Sequence, residues 1–257
     1  MSVFPVVLVG VFGLMLGSFL NVCISRLPAG ESVVFPGSRC PACRTPIHWY
    51  DNIPVFSYLR LGGRCRSCRA PISARYPVVE AATGAAFVLQ ALAAGDDPVA
   101  LAQRLVFAAL LVALFGTDLE TQRLPNVLTL PGIPIGIAFS VFRSPGLTSS
   151  LIGAAFGAGV LLGIRWLWRR IKGVDAMGLG DVKMLAMIGA FLGWEQVWLV
   201  LLFSSVTGAL LGVLLTAFGG RSMQSKLPFG TFLALAAFAA SLVGQRLLDW
   251  YLGLLAG

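Results

Sequence analysis

Four cysteines in two matching pairs form the clearest chemical pattern in the chain. Cys40 and Cys43 form one CxxC pair, Cys65 and Cys68 form a second, and 21 residues separate the pairs. This spacing lets two tight turns direct four thiolates toward one ion, which predicts a tetrahedral zinc site. Two disulfides or four idle thiols are the alternatives. Because four thiolates leave no open coordination position, we expect the zinc to be structural.

Two carboxylates lie at the edges of apolar runs. Asp118 follows the uncharged run 105–117, and Asp181 ends the GLGD segment 178–181. An ionisable side chain at the edge of a membrane span is a candidate functional group. The alternative for Asp181 is a favourable charge at a helix N-terminus, whereas Asp118 would lie at the disfavoured C-terminal end. Two adjacent carboxyls share a proton, so one can act as a base toward water and the other as an acid toward a carbonyl.

The remaining reactive residues point to no other chemistry. The single histidine, His48, excludes an HExxH metalloprotease and leaves serine or cysteine nucleophiles without a histidine partner of their own. We expect His48 to be an ordinary packed or surface side chain. Cys23 lies alone inside an apolar run and is expected to be a small packing residue.

The elements that must position these residues are membrane helices. Of the 257 residues, 57% are hydrophobic and only 12% are charged, whereas soluble domains carry about 25% charged residues. We therefore predict an all-α polytopic membrane protein with about eight transmembrane helices. The predicted spans are 2–25, 77–95, 99–118, 125–142, 147–168, 183–194, 196–219 and 228–250.

The predicted organisation has three parts. Residues 1–25 form the first transmembrane helix, 26–76 form a cytoplasmic zinc-ribbon-like domain that binds the metal through four cysteines, and 77–257 form a seven-helix membrane core. Within the first helix, Gly13 and Gly17 offer a small-residue surface for a neighbouring helix or a second protomer.

Charge distribution predicts the orientation. With eight crossings, 16 of the 19 basic residues fall on one side, including Arg221 and Lys226. Because cytoplasmic loops collect Lys and Arg, this side is predicted to be cytoplasmic and the N-terminus extracytoplasmic. The net charge of +8 therefore reports orientation rather than a nucleic-acid partner. Span 183–194 is the shortest of the eight, and the alternative is that it forms a re-entrant segment. If it did not cross the membrane, Arg221 and Lys226 would lie on the opposite side.

Several sequence blocks resemble one family over nearly the whole chain. They are GSFLNVCISRLP at 17–28, the two CxxC pairs with NIPVFSYL at 52–59 between them, RYPVVE at 75–80, DLETQRLPN at 118–126, GLGDVK at 178–183 and PFG at 228–230. In this order the blocks resemble the type IV prepilin peptidases, which are GxGD intramembrane aspartic peptidases of the bacterial inner membrane.

The resemblance implies a function and a set of site residues. Asp118 and Asp181 would be the catalytic pair, and the substrates would be type IV prepilins or type II secretion pseudopilins, cleaved at the cytoplasmic membrane face. Many members also methylate the new N-terminus with S-adenosylmethionine, an activity that we place at the zinc domain near Glu80. The expected partners are these proteins and membrane lipid. The supporting residues would be Gly178, Gly180, Lys183, Pro125, Asn126, Pro228 and Gly230.

One departure from the family pattern is visible. Asn126 stands where many members have a second Asp, which removes one candidate methyltransferase carboxylate and leaves the cleavage pair intact. Two different functions remain as alternatives: a non-enzymatic zinc-ribbon scaffold for membrane assembly, or a carrier that uses its carboxylates for protons. A carrier would be expected to show two repeated halves, and the acidic residues are not repeated in this way.

Overall fold

The computed structural model describes residues 3–175, 177–219 and 228–256. Within these ranges the chain is helical, and its only β-structure is two isolated bridges. The α-helices are α1 (Val3–Arg26), α2 (Phe56–Arg60), α3 (Arg75–Ala94), α4 (Pro98–Thr121), α5 (Asn126–Ser140), α6 (Leu147–Lys172), α7 (Leu179–Leu192), α8 (Trp194–Gly219) and α9 (Phe229–Ala256). The prediction of an all-helical protein is confirmed. The chain forms two compact units, within residues 1–101 and 102–257.

The first unit is built on the pairing of α1 with α3. A Cβ on Gly13 would lie 2.9 Å from Cβ of Phe87, and one on Gly17 would lie 2.8 Å from Cα of Glu80. The two glycines therefore let the backbones approach closely, and their small-residue surface packs within the chain. Asn21, one turn further along α1, donates its side-chain amide to the carbonyl of Tyr76 at 3.1 Å.

The second unit is organised around the short helix α7. Nine of its 14 residues are buried, and α5, α6, α8 and α9 all contact it. Contacts pair Gly132 with Met187 and Gly136 with Phe191, so α5 and α7 run in the same direction. Gly153 meets Gly189, whereas the later Gly157 meets the earlier Leu185, so α6 runs antiparallel to α7.

The number of helices that can cross a membrane is lower than predicted. Within the described residues, six helices are long and apolar enough by length and composition, rather than eight. The two exceptions, α5 and α7, have 15 and 14 residues, which gives about 22 and 21 Å of helix against a hydrocarbon core of about 30 Å. Burial explains how α7 can be short: a helix covered by protein does not have to match the lipid thickness. The residues Arg221 and Lys226 used for orientation lie outside the described ranges.

The contact between α6 and α7 supports a stability prediction. A Cβ on Gly189 would lie 2.1 Å from the carbonyl oxygen of Gly153, so Gly189→Ala must separate the two helices. Because overpacking costs about 1–3 kcal/mol or more, we expect a lower thermal unfolding midpoint in detergent. Gly159→Ala in α6, where a Cβ meets open space, is the matched control and should leave the midpoint nearly unchanged. Equal midpoints for both variants would contradict this packing.

Candidate active site and metal centre

Asp118 lies near the C-terminal end of α4 and is fixed by α9. Its side chain is buried, and its Oδ2 accepts hydrogen bonds from the backbone N–H of Thr231 at 2.6 Å and from the Thr231 hydroxyl at 3.0 Å. Thr231 is itself buried in the first turn of α9. The end of α4 and the start of α9 are therefore joined through this carboxylate.

Asp181 lies in the first turn of α7 and is partly buried. It lies close to Asp118 in the fold, because Leu124 contacts both Gly180, which precedes Asp181, and Gly230, which lies beside Asp118. Gly178, in extended conformation, is the N-cap residue of α7, and a Cβ on it would be 3.7 Å from Oδ2 of Asp181. Asp118 and Asp181 therefore lie at the same end of the second unit.

Leu124 packs between the two glycines that flank the acids. A Cβ on Gly180 would lie 3.0 Å from Cβ of Leu124, and one on Gly230 would lie 3.0 Å from Cδ1 of the same leucine. On Gly230 a Cβ would also lie 2.9 Å from Oδ2 of Asp118. These positions exclude larger side chains because the backbone of α9 passes directly beside the carboxylate.

Three further residues from the predicted set surround the start of α5. Pro125 is the N-cap residue of this helix, and Lys183 donates from Nζ to Oδ1 of Asn126 at 2.8 Å. This bond joins the starts of α5 and α7. Because the side chain of Asn126 is neutral, it does not neutralise the charge of Lys183. Pro228 is half-buried immediately before α9.

Sequence reasoning missed Thr231 and Leu124, although both contact the predicted site. A weak signal for Thr231 exists in the sequence: it is a hydroxyl residue directly after Gly230 in an otherwise apolar run. Nothing in the sequence marks Leu124, because an apolar residue beside Pro125 is ordinary.

The close approach of Gly230 to Asp118 predicts the effect of a small substitution. In Gly230→Ala the added methyl must displace Oδ2 of Asp118 or break its bond to the Thr231 amide. We therefore expect at least a tenfold loss of the peptide cleavage that the sequence resemblance implies. The measurement is the rate of substrate cleavage by purified protein. Gly208→Ala is the matched control, because a Cβ there makes ordinary contacts of 3.5 Å or more with Phe232. Wild-type activity in Gly230→Ala would contradict the described geometry.

The four predicted metal ligands come together in the first unit. The sulfur atoms of Cys40, Cys43, Cys65 and Cys68 all lie within 4.8 Å of one another. The Cys40–Cys68 and Cys43–Cys65 sulfur distances are 3.8 and 4.0 Å. A tetrahedral ion with Zn–S bonds of about 2.3 Å requires sulfurs about 3.8 Å apart. The cluster can therefore hold a metal ion, and its dimensions fit zinc.

The two CxxC pairs adopt the same local structure. Cys40 donates its N–H to the carbonyl of Thr45 and accepts from the N–H of Arg44, and Cys65 does the same with Ala70 and Arg69. Arg44 and Arg69 both have φ near +60°, which closes each turn. Hydrogen bonds with Thr45 lower the pKa of the Cys43 thiol to about 6, and backbone amides at Cys68 and Ser67 lower the pKa of Cys65. The Ala70 backbone lowers the pKa of Cys68, but desolvation and hydrogen bonds with the other three thiols outweigh this effect and raise that pKa to about 11. Cys43 and Cys65 are therefore the thiols that most readily give the thiolates that a metal requires.

An ion-pair group joins the second pair of cysteines to the segment between the two pairs. Arg66 donates two hydrogen bonds of 2.6 Å to the Asp51 carboxylate, and Arg60 donates a third at 3.2 Å. The hydrogen bonds from Arg66 hold the pKa of Asp51 below its usual value. His48 is exposed and stacks on Tyr50 at 5.2 Å between ring centroids, so it is the surface side chain that the sequence predicted.

Glu80 occupies a buried junction in the first unit. Its Oε2 accepts the N–H of Val55 at 2.7 Å, and the Ser18 hydroxyl also hydrogen-bonds to its side chain. Val55 has φ of +59°, a left-handed conformation that a β-branched residue rarely adopts. The carboxylate therefore fixes a strained turn while linking α1, α3 and the segment before α2. Such strain is often retained at functional sites.

Two family models of the same kind of peptidase match successive parts of the chain. Residues 11–94 match the family model described as Bacterial Peptidase A24 N-terminal domain, and residues 105–213 match the one described as Type IV leader peptidase family. No solved structure matches the chain.

Relatives named prepilin leader peptidase/N-methyltransferase align over most of their length. The protein from Aeromonas hydrophila is 39% identical, with 95% of this chain and 93% of the relative covered. A relative from Pseudomonas aeruginosa is 38% identical, with 93% and 91% covered. The Klebsiella pneumoniae protein is 44% identical, with 75% and 87% covered.

Proposed function

The chain belongs to the type IV leader peptidase family, and we propose that it removes the leader peptide of type IV prepilins or type II secretion pseudopilins and methylates the new N-terminus. Relatives that carry both activities in their names cover more than nine-tenths of the chain. The observation that carries the peptidase proposal is the placement of Asp118 and Asp181 at one end of the same helical unit.

In the proposed mechanism the two aspartates share one proton. The ionised carboxyl takes a proton from water, which attacks the scissile carbonyl, and the protonated carboxyl donates to the carbonyl oxygen. Thr231 holds Oδ2 of Asp118 through two donors, so that Asp118 keeps its orientation during the reaction. Gly178, Gly180 and Gly230 allow the backbone to pass close to both acids, and the Lys183–Asn126 bond fixes the relative position of α5 and α7.

The proposed role of zinc is structural. Cys40, Cys43, Cys65 and Cys68 would bind it as four thiolates and leave no coordination position for water. We propose that residues 26–76 form the domain that this ion stabilises, since a segment of about 50 residues with few large apolar side chains needs such a support. Residues 77–257 would then form the membrane core that follows the first helix.

We propose that methyl transfer occurs on the zinc-domain side of the first unit, near Glu80. S-adenosylmethionine supplies a methyl group from a sulfonium cation, and a buried carboxylate is suited to attract a cation. The hydrogen-bond donors to Glu80 are a backbone amide and a hydroxyl, both neutral, so they do not cancel its charge. This chemistry of Glu80 supports its assignment as a cofactor-binding residue.

We also propose an orientation in the bacterial inner membrane. The N-terminus would be extracytoplasmic and the zinc domain cytoplasmic, where a reducing environment keeps the four thiols free to bind metal. The charge distribution of the loops supports this orientation when α5 and α7 are counted as short crossings, because eight crossings place 16 of the 19 basic residues on one side. The scaffold and carrier alternatives are not favoured, because the family and the named relatives are those of a peptidase.

One experiment tests both activities. Purified protein, a prepilin and S-adenosylmethionine with a labelled methyl group are combined, and leader loss and methyl transfer are scored separately. We expect both in the wild-type protein. Leader retention at all enzyme concentrations would contradict the peptidase proposal.

The assignment of Glu80 predicts a separation of the two activities. In Glu80→Gln the negative charge is lost while size and one hydrogen-bond acceptor remain, so we expect at least a tenfold loss of methyl transfer on a precleaved pilin. Prepilin cleavage should fall much less. Glu31→Gln, at an exposed acid preceding the zinc cluster, is the control and should retain both activities. An equal loss of cleavage and methylation in Glu80→Gln would indicate a purely structural role.

A further inference from the structure

The first unit contains a long groove that passes Ser18, a hydrogen-bond partner of Glu80. It has a volume of about 620 Å³ and runs along one stripe of α1, with the segment 33–54 as its other wall. The α1 residues that line it include Val11, Met15, Ser18, Val22 and Arg26, at helical spacing. Val11 and Met15 are 49% and 61% exposed, so this stripe is not covered by α3.

The dimensions of the groove restrict what can occupy it. Val11 and Arg26 are 15 residues apart, or about 22 Å along a helix. A groove of this volume cannot enclose that length of a helix, which is about 10–12 Å in diameter. It can hold a single hydrocarbon chain, since carbon atoms pack about 3.5–4.0 Å apart.

The depth of the groove distinguishes a lipid chain from an extended peptide. Val11 and Met15 lie inside the apolar span Val3–Ala29. An extended peptide at that depth would leave backbone N–H and C=O groups without partners, whereas an acyl chain has none to satisfy. The lower part of the groove therefore fits an acyl chain.

The upper end of the groove is polar and positively charged. Arg26 lines it, and its Nη1 donates to the carbonyls of Ser32 and Pro36 at 3.0 and 2.8 Å. Both acceptors are neutral carbonyl oxygens. Among the described residues, no carboxylate forms an ion pair with Arg26. Trp49 and Asn52 also line the groove, and tryptophan is favoured at membrane interfaces. An anionic headgroup matches this charge.

We propose that this groove binds one acyl chain of an anionic phospholipid, with the headgroup at Arg26. The acyl chain would lie between α1 and the segment 33–54 and contact both walls of the groove. The inference does not rest on the proposed enzymatic activities, because it follows from the shape, depth and charge of the first unit alone.

Photolabelling of the full chain tests the proposal. The protein is placed in vesicles with phosphatidylglycerol that carries a diazirine on one acyl chain, and the labelled positions are found by mass spectrometry after irradiation. We expect label concentrated on the groove stripe of α1 and on segment 33–54. Phosphatidylglycerol should give about fivefold more groove label than the matching phosphatidylcholine probe, which corresponds to about 1 kcal/mol for one basic side chain at an anionic surface. Equal label around all faces of α1, or equal label from both lipids, would overturn the proposal.

A pair of tryptophan substitutions provides the control. Met15→Trp fills the groove and should reduce groove label at least fivefold, whereas Leu8→Trp, on an exposed part of α1 outside the groove, should not. Bound zinc and prepilin cleavage verify that each variant is folded. Unchanged label in Met15→Trp would overturn the inference. Displacement of the label by a mature pilin N-terminal peptide, but not by unlabelled phosphatidylglycerol, would assign the groove to substrate instead.

Discussion

Each of the substitutions Asp118→Asn and Asp181→Asn is expected to abolish prepilin cleavage. The change keeps the size of each side chain and removes its ability to carry or share a proton, so the loss should reach about 10³-fold or more in kcat/KM. Because the pair acts as one unit, the double variant should be no slower than either single variant. The measurement is leader removal from a prepilin by purified protein at matched concentration.

The matched control for this prediction is Asp249→Asn in α9. Asp249 is exposed and hydrogen-bonds to Gln245, so the same chemical change there should leave cleavage unchanged. Both catalytic variants should still methylate a precleaved pilin, since we place methyl transfer in the first unit. A single variant at Asp118 or Asp181 that cleaves at the wild-type rate would refute the proposed dyad.

Replacing Cys40 by serine is expected to release the metal and unfold the zinc domain. Structural zinc contributes about 10–16 kcal/mol of apparent binding free energy to small domains. The hydrophobic core of a segment of this size cannot supply that much folding free energy in its place. We expect less than one tenth of the wild-type zinc content by elemental analysis. Limited proteolysis should then cut first within 26–75. Methyl transfer should fall further than cleavage, and cleavage should fall less than in the aspartate variants.

Cys23→Ser serves as the control for the zinc prediction. Cys23 is also buried, but it lies within α1 and outside the four-sulfur cluster. This variant should keep one zinc per chain. Wild-type protein purified without chelator that contains no stoichiometric zinc would contradict the proposed metal, as would Cys40→Ser with full zinc content.

Local patterns in the sequence determined the chemical groups of this protein. The two CxxC pairs predicted a four-sulfur cluster because each pair forms its own turn from residues close in sequence, as the matching bonds of Cys40 and Cys65 illustrate. The apolar runs predicted the all-helical fold for the same reason: hydrophobic length is a property of a continuous segment. The GLGD segment and Asp118 could be identified as candidates because acids are rare beside such runs.

Tertiary structure decided which groups meet and how many helices are long. Thr231 binds Asp118 across 113 positions of sequence, and no periodicity relates the end of α4 to the start of α9. In the described part of the chain, the predicted eight spans correspond to six long helices and two short ones. One of the short helices, α7, is enclosed by its neighbours and does not need to match the lipid thickness. Likewise, only packing against α3 settled the partner of Gly13 and Gly17. Short-range patterns specify residue types and local turns, whereas long-range partners depend on which helix ends the folded chain brings together.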